Sequence, residues 1–417
     1  MTIDSTATPR LGLKANWQQF TLLVIINAFV GGMVGLERSI LPEIASQDFQ
    51  LDSRTAIFSF IIVFGFVKAL ANYLAGALAT RWGRKNLLIL GWLIGLPVPF
   101  LLMLARDWSL VVFANVLLGL NQGLTWSTTV VMKIDLVGQK NRGLAMGLNE
   151  FAGYISVALL AFITGWVAAE YGLRPYPFVV GIGIAFLGLL FSVAFVRDTI
   201  PHVQLEARQS RQSEMKNIFL QTSFLHPNLS SVTQAGMINN LNDGMMWGLF
   251  PLLLASKGFS LKAIGILTAI YPAFWGAGQL ITGKLSDHLG RKPLLFWGMI
   301  LQGATLIGLV FAQSFWAYFI LAALLGIGTA MVYPTFLAAI ADNTHPHQRA
   351  HSVGIFRLWR DSGYVFGAIL TGILADAFHL EIPIIAIGIL SALSGLIIGI
   401  RMRERHPQLA ELHPDSR

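Results

Sequence analysis

Cysteine is absent from this 417-residue chain, which excludes disulfides, thiolate metal sites and cysteine nucleophiles and leaves the redox compartment unmarked. Charge is scarce: 12% of residues are charged and 55% are apolar, against about 25% and 45–50% in ordinary soluble chains. A soluble core cannot absorb that excess. No G-x-x-x-x-G-K-[ST] loop occurs, so ATP-driven work by this chain alone is not expected. Residues 1–16 are polar and lead into a long apolar segment without a small-residue cleavage site, so no signal peptide is expected. His345, His347 and His351 cluster without acid or cysteine neighbours, a weak pattern for a metal; neither metal nor cofactor is expected.

The apolar residues that are present fall in long runs, such as 20–35, 56–67, 87–105 and 384–400, each near the roughly 20 residues that a spanning helix needs. Breaking the chain at polar and Gly/Pro clusters predicts twelve spans, beginning near residues 17, 55, 87, 109, 142, 176, 229, 261, 293, 315, 350 and 380. The fold class is therefore an all-α polytopic membrane protein of two six-helix bundles. Residues 1–196 form the first bundle, 197–228 a polar central loop, and 229–417 the second bundle with a short tail.

An internal repeat supports the division. Gly76-Ala-Leu-Ala-Thr-Arg-Trp-Gly83-Arg84-Lys85 aligns with Gly283-Lys-Leu-Ser-Asp-His-Leu-Gly290-Arg291-Lys292, 207 residues later. The same register carries Gly119 onto Gly326, Asp135 onto Asp342, Arg142 onto Arg349, Gly147 onto Gly354 and Thr164-Gly165 onto Thr371-Gly372. About 20 of the 29 Lys and Arg fall on the side that holds both termini and the loops after even-numbered spans, which predicts cytoplasmic termini in an inner membrane. The opposite loops hold about five, Arg54, Arg106, Arg174, Lys257 and Lys262.

The two copies, Gly76–Lys85 and Gly283–Lys292, resemble the loop signature of the major facilitator superfamily, G-x-L-x-D-R-x-G-R-K. Twelve spans and two parallel halves are similar to that family as well. The resemblance implies alternating access by rocking of two bundles around a central site lined by the first, fourth, seventh and tenth helices. Physically, the glycines allow a tight turn and close helix approach, and the Arg-Lys pairs can bridge to acids ending neighbouring helices, with Asp135 and Asp342 in reach; the cations also fix topology. The first copy departs from the signature at Thr80, where the second keeps Asp287, which weakens any gate built on that acid in the first half. The drug/proton antiporter branch of the family shows R-x-x-Q-G in the fourth helix and Gly-Pro in the fifth. Here Gly119 stands at the arginine position before Gln122-Gly123, and residues 153–165 contain no proline.

Ionisable residues inside spans are costly and point to cavities or partners. Lys68, Glu37, Arg38, Glu150, Asp243, Arg357, Arg360 and Asp361 are of this kind. Glu150 and Arg357 occupy equivalent repeat positions, about 12 Å along their helices from Arg142 and Arg349, and are expected to form an interdomain ion pair; solvation of each in its own half is the alternative. Arg357, Arg360, Asp361 and Tyr364 share one helix face, suited to an anionic or zwitterionic ligand. Asn239, Asn240 and Asp243 share a face with Trp247, and Asp243 is the leading proton-coupling candidate, ahead of Glu37, Glu150 and Asp361; a structural pairing of Asp243 with Lys68 or Arg38 is the competing expectation. Asn121, Gln122, Thr125 and Trp126, with Tyr271, Trp275 and Gln279, supply polar and aromatic lining or else simple packing.

The expected function is a secondary transporter, proton-coupled, for a small charged metabolite, with drug/proton antiport as the alternative and a receptor or enzyme on a transporter-like scaffold as the reading from another class. No nucleophile and base pair lies within the spans. The expected partners are a small-molecule substrate, protons or another coupling ion, and the bilayer, with no nucleic acid; two six-helix halves suffice for one pathway, so a monomer is expected to work.

Overall fold

A computed structural model of the chain describes residues 9–38, 40–51, 54–210 and 212–404. Twelve long helices dominate the described residues: α1 Trp17–Arg38, α2 Arg54–Trp82, α3 Arg84–Leu104, α4 Trp108–Val137, α5 Arg142–Tyr171 and α6 Tyr176–Ala194 in the first half. The second half holds α7 Pro227–Ser256, α8 Leu261–Leu289, α9 Arg291–Phe311, α10 Phe315–Asp342, α11 Arg349–Ala377 and α12 Glu381–Arg401. Each begins within a few residues of its expected start. Ten of the described helices are long and apolar enough to cross a membrane. The other two, α7 and α11, are as long but hold the densest polar sequence, including Asn239, Asn240 and Asp243 in one and Arg357, Arg360 and Asp361 in the other.

Lipid as solvent inverts the usual burial. Phe162, Ile281, Phe311 and Ile400 are more than two-thirds exposed on the bundle surface, while Glu150, Asp243 and Arg357 are fully buried. Pro97 and Pro99 break α3 into Arg84–Gly95 and Val98–Leu104, because proline lacks the N–H that a continuing helix would use. Asp107, Ser260 and Ser314 accept the first free N–H groups of α4, α8 and α10, at 3.0, 3.3 and 3.2 Å from Leu110, Ala263 and Ala317.

Residues 197–228, read from sequence as a loop, contain a helix at Ile200–Gln209 and two short turns at Ile218–Leu220 and Gln221–Leu225. This helix is too short and polar for a span and folds on tertiary contacts, chiefly those of Glu206 described below. The halves are packed closely at the face that carries the two Arg-Lys loops, termed here the basic face. Gly76 of α2 lies directly against Gly354 of α11, where any Cβ on either residue would meet the other's backbone. The repeat-equivalent pair, Gly283 of α8 and Gly147 of α5, does the same, with Gly143 alongside. Small residues let helix backbones approach this closely. On the opposite side of the bundle Gly65 and Gly372, on the same two helices α2 and α11, face open space.

Candidate functional site

The basic face is locked by a two-fold pattern of ion pairs. Gly83 and Gly290 adopt positive φ (83° and 93°), which starts α3 and α9 abruptly and aims Arg84 and Arg291 back into the protein. Arg84 Nε lies 3.2 Å from Asp135, and Arg291 Nε 2.8 Å from Asp342. Each aspartate also receives an arginine from the other half: Arg349 reaches Asp135 at 3.3 Å, and Arg142 reaches Asp342 at 2.7 Å. The lysines of the two motifs do not share this work. Lys85 Nζ donates to the Val193 carbonyl, and the backbone N–H groups of Lys85 and Lys292 donate to Asp198 and Glu404 at the ends of α6 and α12, at 2.9 and 2.8 Å.

At the centre of this ring is Glu206, from the linker helix. It accepts from Arg349 Nη1 and Nη2 at 2.9 and 2.8 Å and also binds Arg142. Burial pushes the Glu206 carboxyl up, but Arg349 and Arg142 outweigh it and hold the group below the ordinary glutamate value. Sequence reading missed Glu206, since it has no repeat partner. The halves differ where the motif differs. Asp287 accepts from Gly143 N and Leu144 N at 2.9 Å each, capping α5 across the interface, whereas Thr80 makes one 3.4 Å contact to the His347 carbonyl.

Deeper in, a polar and aromatic cluster joins the halves. Arg357 Nη2 lies 3.4 Å from Glu150 Oε1, and Arg357 Nη1 3.4 Å from Ser127. Glu150 also accepts from Asn149 at 2.7 Å and Trp126 Nε1 at 3.4 Å. Arg360 is paired with its neighbour Asp361 at 2.6 Å and lies over the Tyr333 ring. Asp361 further takes Asn72 at 2.6 Å and Lys68 at 3.9 Å, and Lys68 sits over the rings of Trp126 and Phe64. Asp243 accepts from Tyr271, in a short bond, and from Tyr364 at 3.4 Å. The rings of Tyr154, Trp275 and Tyr333 form a knot between α5, α8 and α10, with centroids 4.4, 5.1 and 5.9 Å apart and Tyr154 and Tyr333 sharing a 2.7 Å hydroxyl bond.

Not every expected residue faces this cluster. Asn121 turns onto α3 and donates to the Gly91 carbonyl at 2.9 Å, so it fastens helices instead of lining a cavity. Gln122 donates to the Val30 carbonyl of α1 at 2.8 Å. Glu37 sits away from the centre, accepting from Asn115 at 3.2 Å. The side chains of Arg38, Arg54, Trp247 and Lys262 lie outside those described. Lys133 was passed over in the sequence although it lies seven and eleven residues from Trp126 and Gln122, on their helix face; it is fully buried, and its Nζ donates to the Leu23 carbonyl at 3.1 Å.

The model of the Major Facilitator Superfamily matches residues 22–234 and again 232–416. A multidrug resistance protein, MdtG, of Enterobacter lignolyticus (strain SCF1) is 24% identical over 356 residues, covering 83% of this chain and 82% of the relative. Among solved structures, the human organic anion transporter MFSD10 (TETRAN) superposes with a TM-score of 0.74 at 14% identity, covering 91% of this chain and 99% of its own. The proton:xylose symporter XylE, bound to 6-bromo-6-deoxy-D-glucose, superposes with 0.75 at 14%, covering 93% and 97%.

Proposed function

The chain belongs to the major facilitator superfamily, and from that premise we propose that it is a proton-coupled secondary transporter of a small anionic or zwitterionic metabolite, working by alternating access in an inner membrane with the basic face toward the cytoplasm. The Lys and Arg bias of the loops supports that orientation. The observation that carries the substrate reading is the gathering of Lys68, Arg357 and Arg360 in the buried centre, each beside an acid of the set Glu150 and Asp361. Buried guanidinium groups held by internal carboxylates can exchange those carboxylates for a substrate carboxylate or phosphate. Asp243 is the proton-coupling candidate, because tyrosine hydroxyls hold it and they can serve a carboxylate or a carboxylic acid by rotating.

Drug/proton antiport is the second reading, favoured by the name of the MdtG relative and by the aromatic knot, which suits lipophilic rings. Uptake into proteoliposomes under an imposed pH gradient separates the two. Gradient-driven movement of carboxylates, phosphates or amino acids is the expected outcome. Movement confined to lipophilic cations would contradict the anion reading and favour the second.

A further inference from the structure

Most buried polar side chains of the centre are satisfied, but one group on α7 and α8 is not. Both polar atoms of Asn239, of Asn240 and of Gln279, together with Trp275 Nε1, are buried and have no hydrogen-bond partner among the described residues. Native proteins rarely leave buried amides unpaired, and a whole set of them calls for an explanation. Helix geometry brings the set onto neighbouring turns. The Tyr271–Asp243 bond fixes the register of the antiparallel helices α7 and α8. Stepping one turn toward the basic face on each brings Asn239 level with Trp275, and another turn along α8 brings Gln279. Gly363 of α11 lies against Met237 and Asn240, so the amides stand about one to two helical turns, roughly 5–10 Å, from Arg360 and Arg357.

We propose that these unpaired amides and the indole N–H form a subsite for the hydroxylated body of the substrate, so that the transported anion is a polyhydroxy carboxylate of about six carbons. The proposal rests on the anion reading above and narrows it. The carboxylate lies toward Arg357, Arg360 and Lys68, and the hydroxyls along the chain both donate to amide oxygens and accept from amide and indole N–H groups. Hydroxyls suit the set because amides offer both roles at once, which neither a pure anion nor a hydrocarbon can use. The neighbouring rings of Tyr271 and Trp275 cover the C–H faces of such a chain.

The test uses purified full-length protein and two matched pairs of probes, gluconate against hexanoate and ribonate against pentanoate, read by calorimetric titration and thermal unfolding. Each pair shares the carboxylate and the carbon count. The hydroxylated member is expected to bind at least about tenfold more tightly, since a site built for hydroxyls rejects analogues that lack them. In Asn239→Leu/Asn240→Leu that gap is expected to close, with hexanoate affinity retained and the unliganded unfolding temperature unchanged or higher, because unpartnered amides lose nothing on replacement. Hexanoate and pentanoate binding as tightly as their partners would overturn the subsite while sparing the anion reading. So would a double variant that unfolds earlier yet keeps the gap, which would mark the amides as structural. Silence from all four carboxylates would also overturn the subsite, while the anion reading stands or falls on the uptake assay with phosphates and amino acids included.

Discussion

Glu206 is bound to Arg349 by two hydrogen bonds, at 2.9 and 2.8 Å, in the plane where the two halves of the bundle meet. The same carboxylate binds Arg142, the repeat equivalent of Arg349. One acid touching both members of a repeat pair ties the two halves together. Opening the basic face must break these bonds, together with the Arg349–Asp135 and Arg142–Asp342 contacts. Breaking a buried ion pair by removing one partner costs about 3–5 kcal/mol, so Glu206→Gln is expected to shift the molecule strongly away from the closed basic face.

The pH dependence of this lock follows from the lowered Glu206 value. A carboxyl depressed in the folded state stabilises it fully above the unfolded value of about 4.3, and loses that contribution only as pH falls through the lower folded value. Between pH 5 and 8 Glu206 itself therefore keeps its charge. The contribution of Glu206 to closing the basic face, measured as the difference in accessibility between the unchanged protein and Glu206→Gln without substrate, is expected to stay flat over that range, and a difference that follows one proton there would count against the assignment.

The difference between Asp287 and Thr80 has a direct consequence for stability. Asp287→Ala removes a cap on α5 worth about 1–2 kcal/mol and a partner of Arg291 at 2.8 Å. Thr80→Ala removes one long contact and is expected to stay within about 0.5 kcal/mol. Thermal unfolding of the two variants, side by side, checks the asymmetry; equal losses would show that the halves lock alike.

Glu150 and Arg357 form the deeper cross-half contact, and each is fully buried. Either single neutralisation, Glu150→Gln or Arg357→Gln, is expected to lower thermal stability by more than the double neutral variant does, because each single leaves a lone buried charge. Additive losses in the double would mean that the two are not coupled.

Asp243→Asn is expected to preserve substrate exchange across equilibrated membranes while abolishing accumulation driven by a pH gradient. Intact gradient-driven uptake in this variant would move the coupling role to Glu150 or Asp361.

The twelve helices and the equivalence of Asp135 with Asp342 and of Arg142 with Arg349 are legible in the sequence because the 207-residue register is unbroken, whereas the pairing of these residues across the halves is not, since a repeat does not tell which copies meet. Glu206 was not legible for the opposite reason: a residue of the linker between two repeats has no copy. Asn121 misled because a polar residue on an inward-looking face can satisfy a neighbouring backbone as well as a ligand. Lys133 was hidden by its position near the basic end of α4, where a cation reads as a topology marker although its helix face is that of Trp126.

The chain's lack of cysteine makes one experiment unusually clean. Spin labels on Thr80→Cys and His347→Cys, residues that touch across the halves at the basic face, report its opening as a distance distribution in lipid. A short distance is expected to dominate in the otherwise unchanged protein, and a longer one to appear on adding Glu206→Gln. An identical short distance in both would contradict the claim that Glu206 holds the basic face shut.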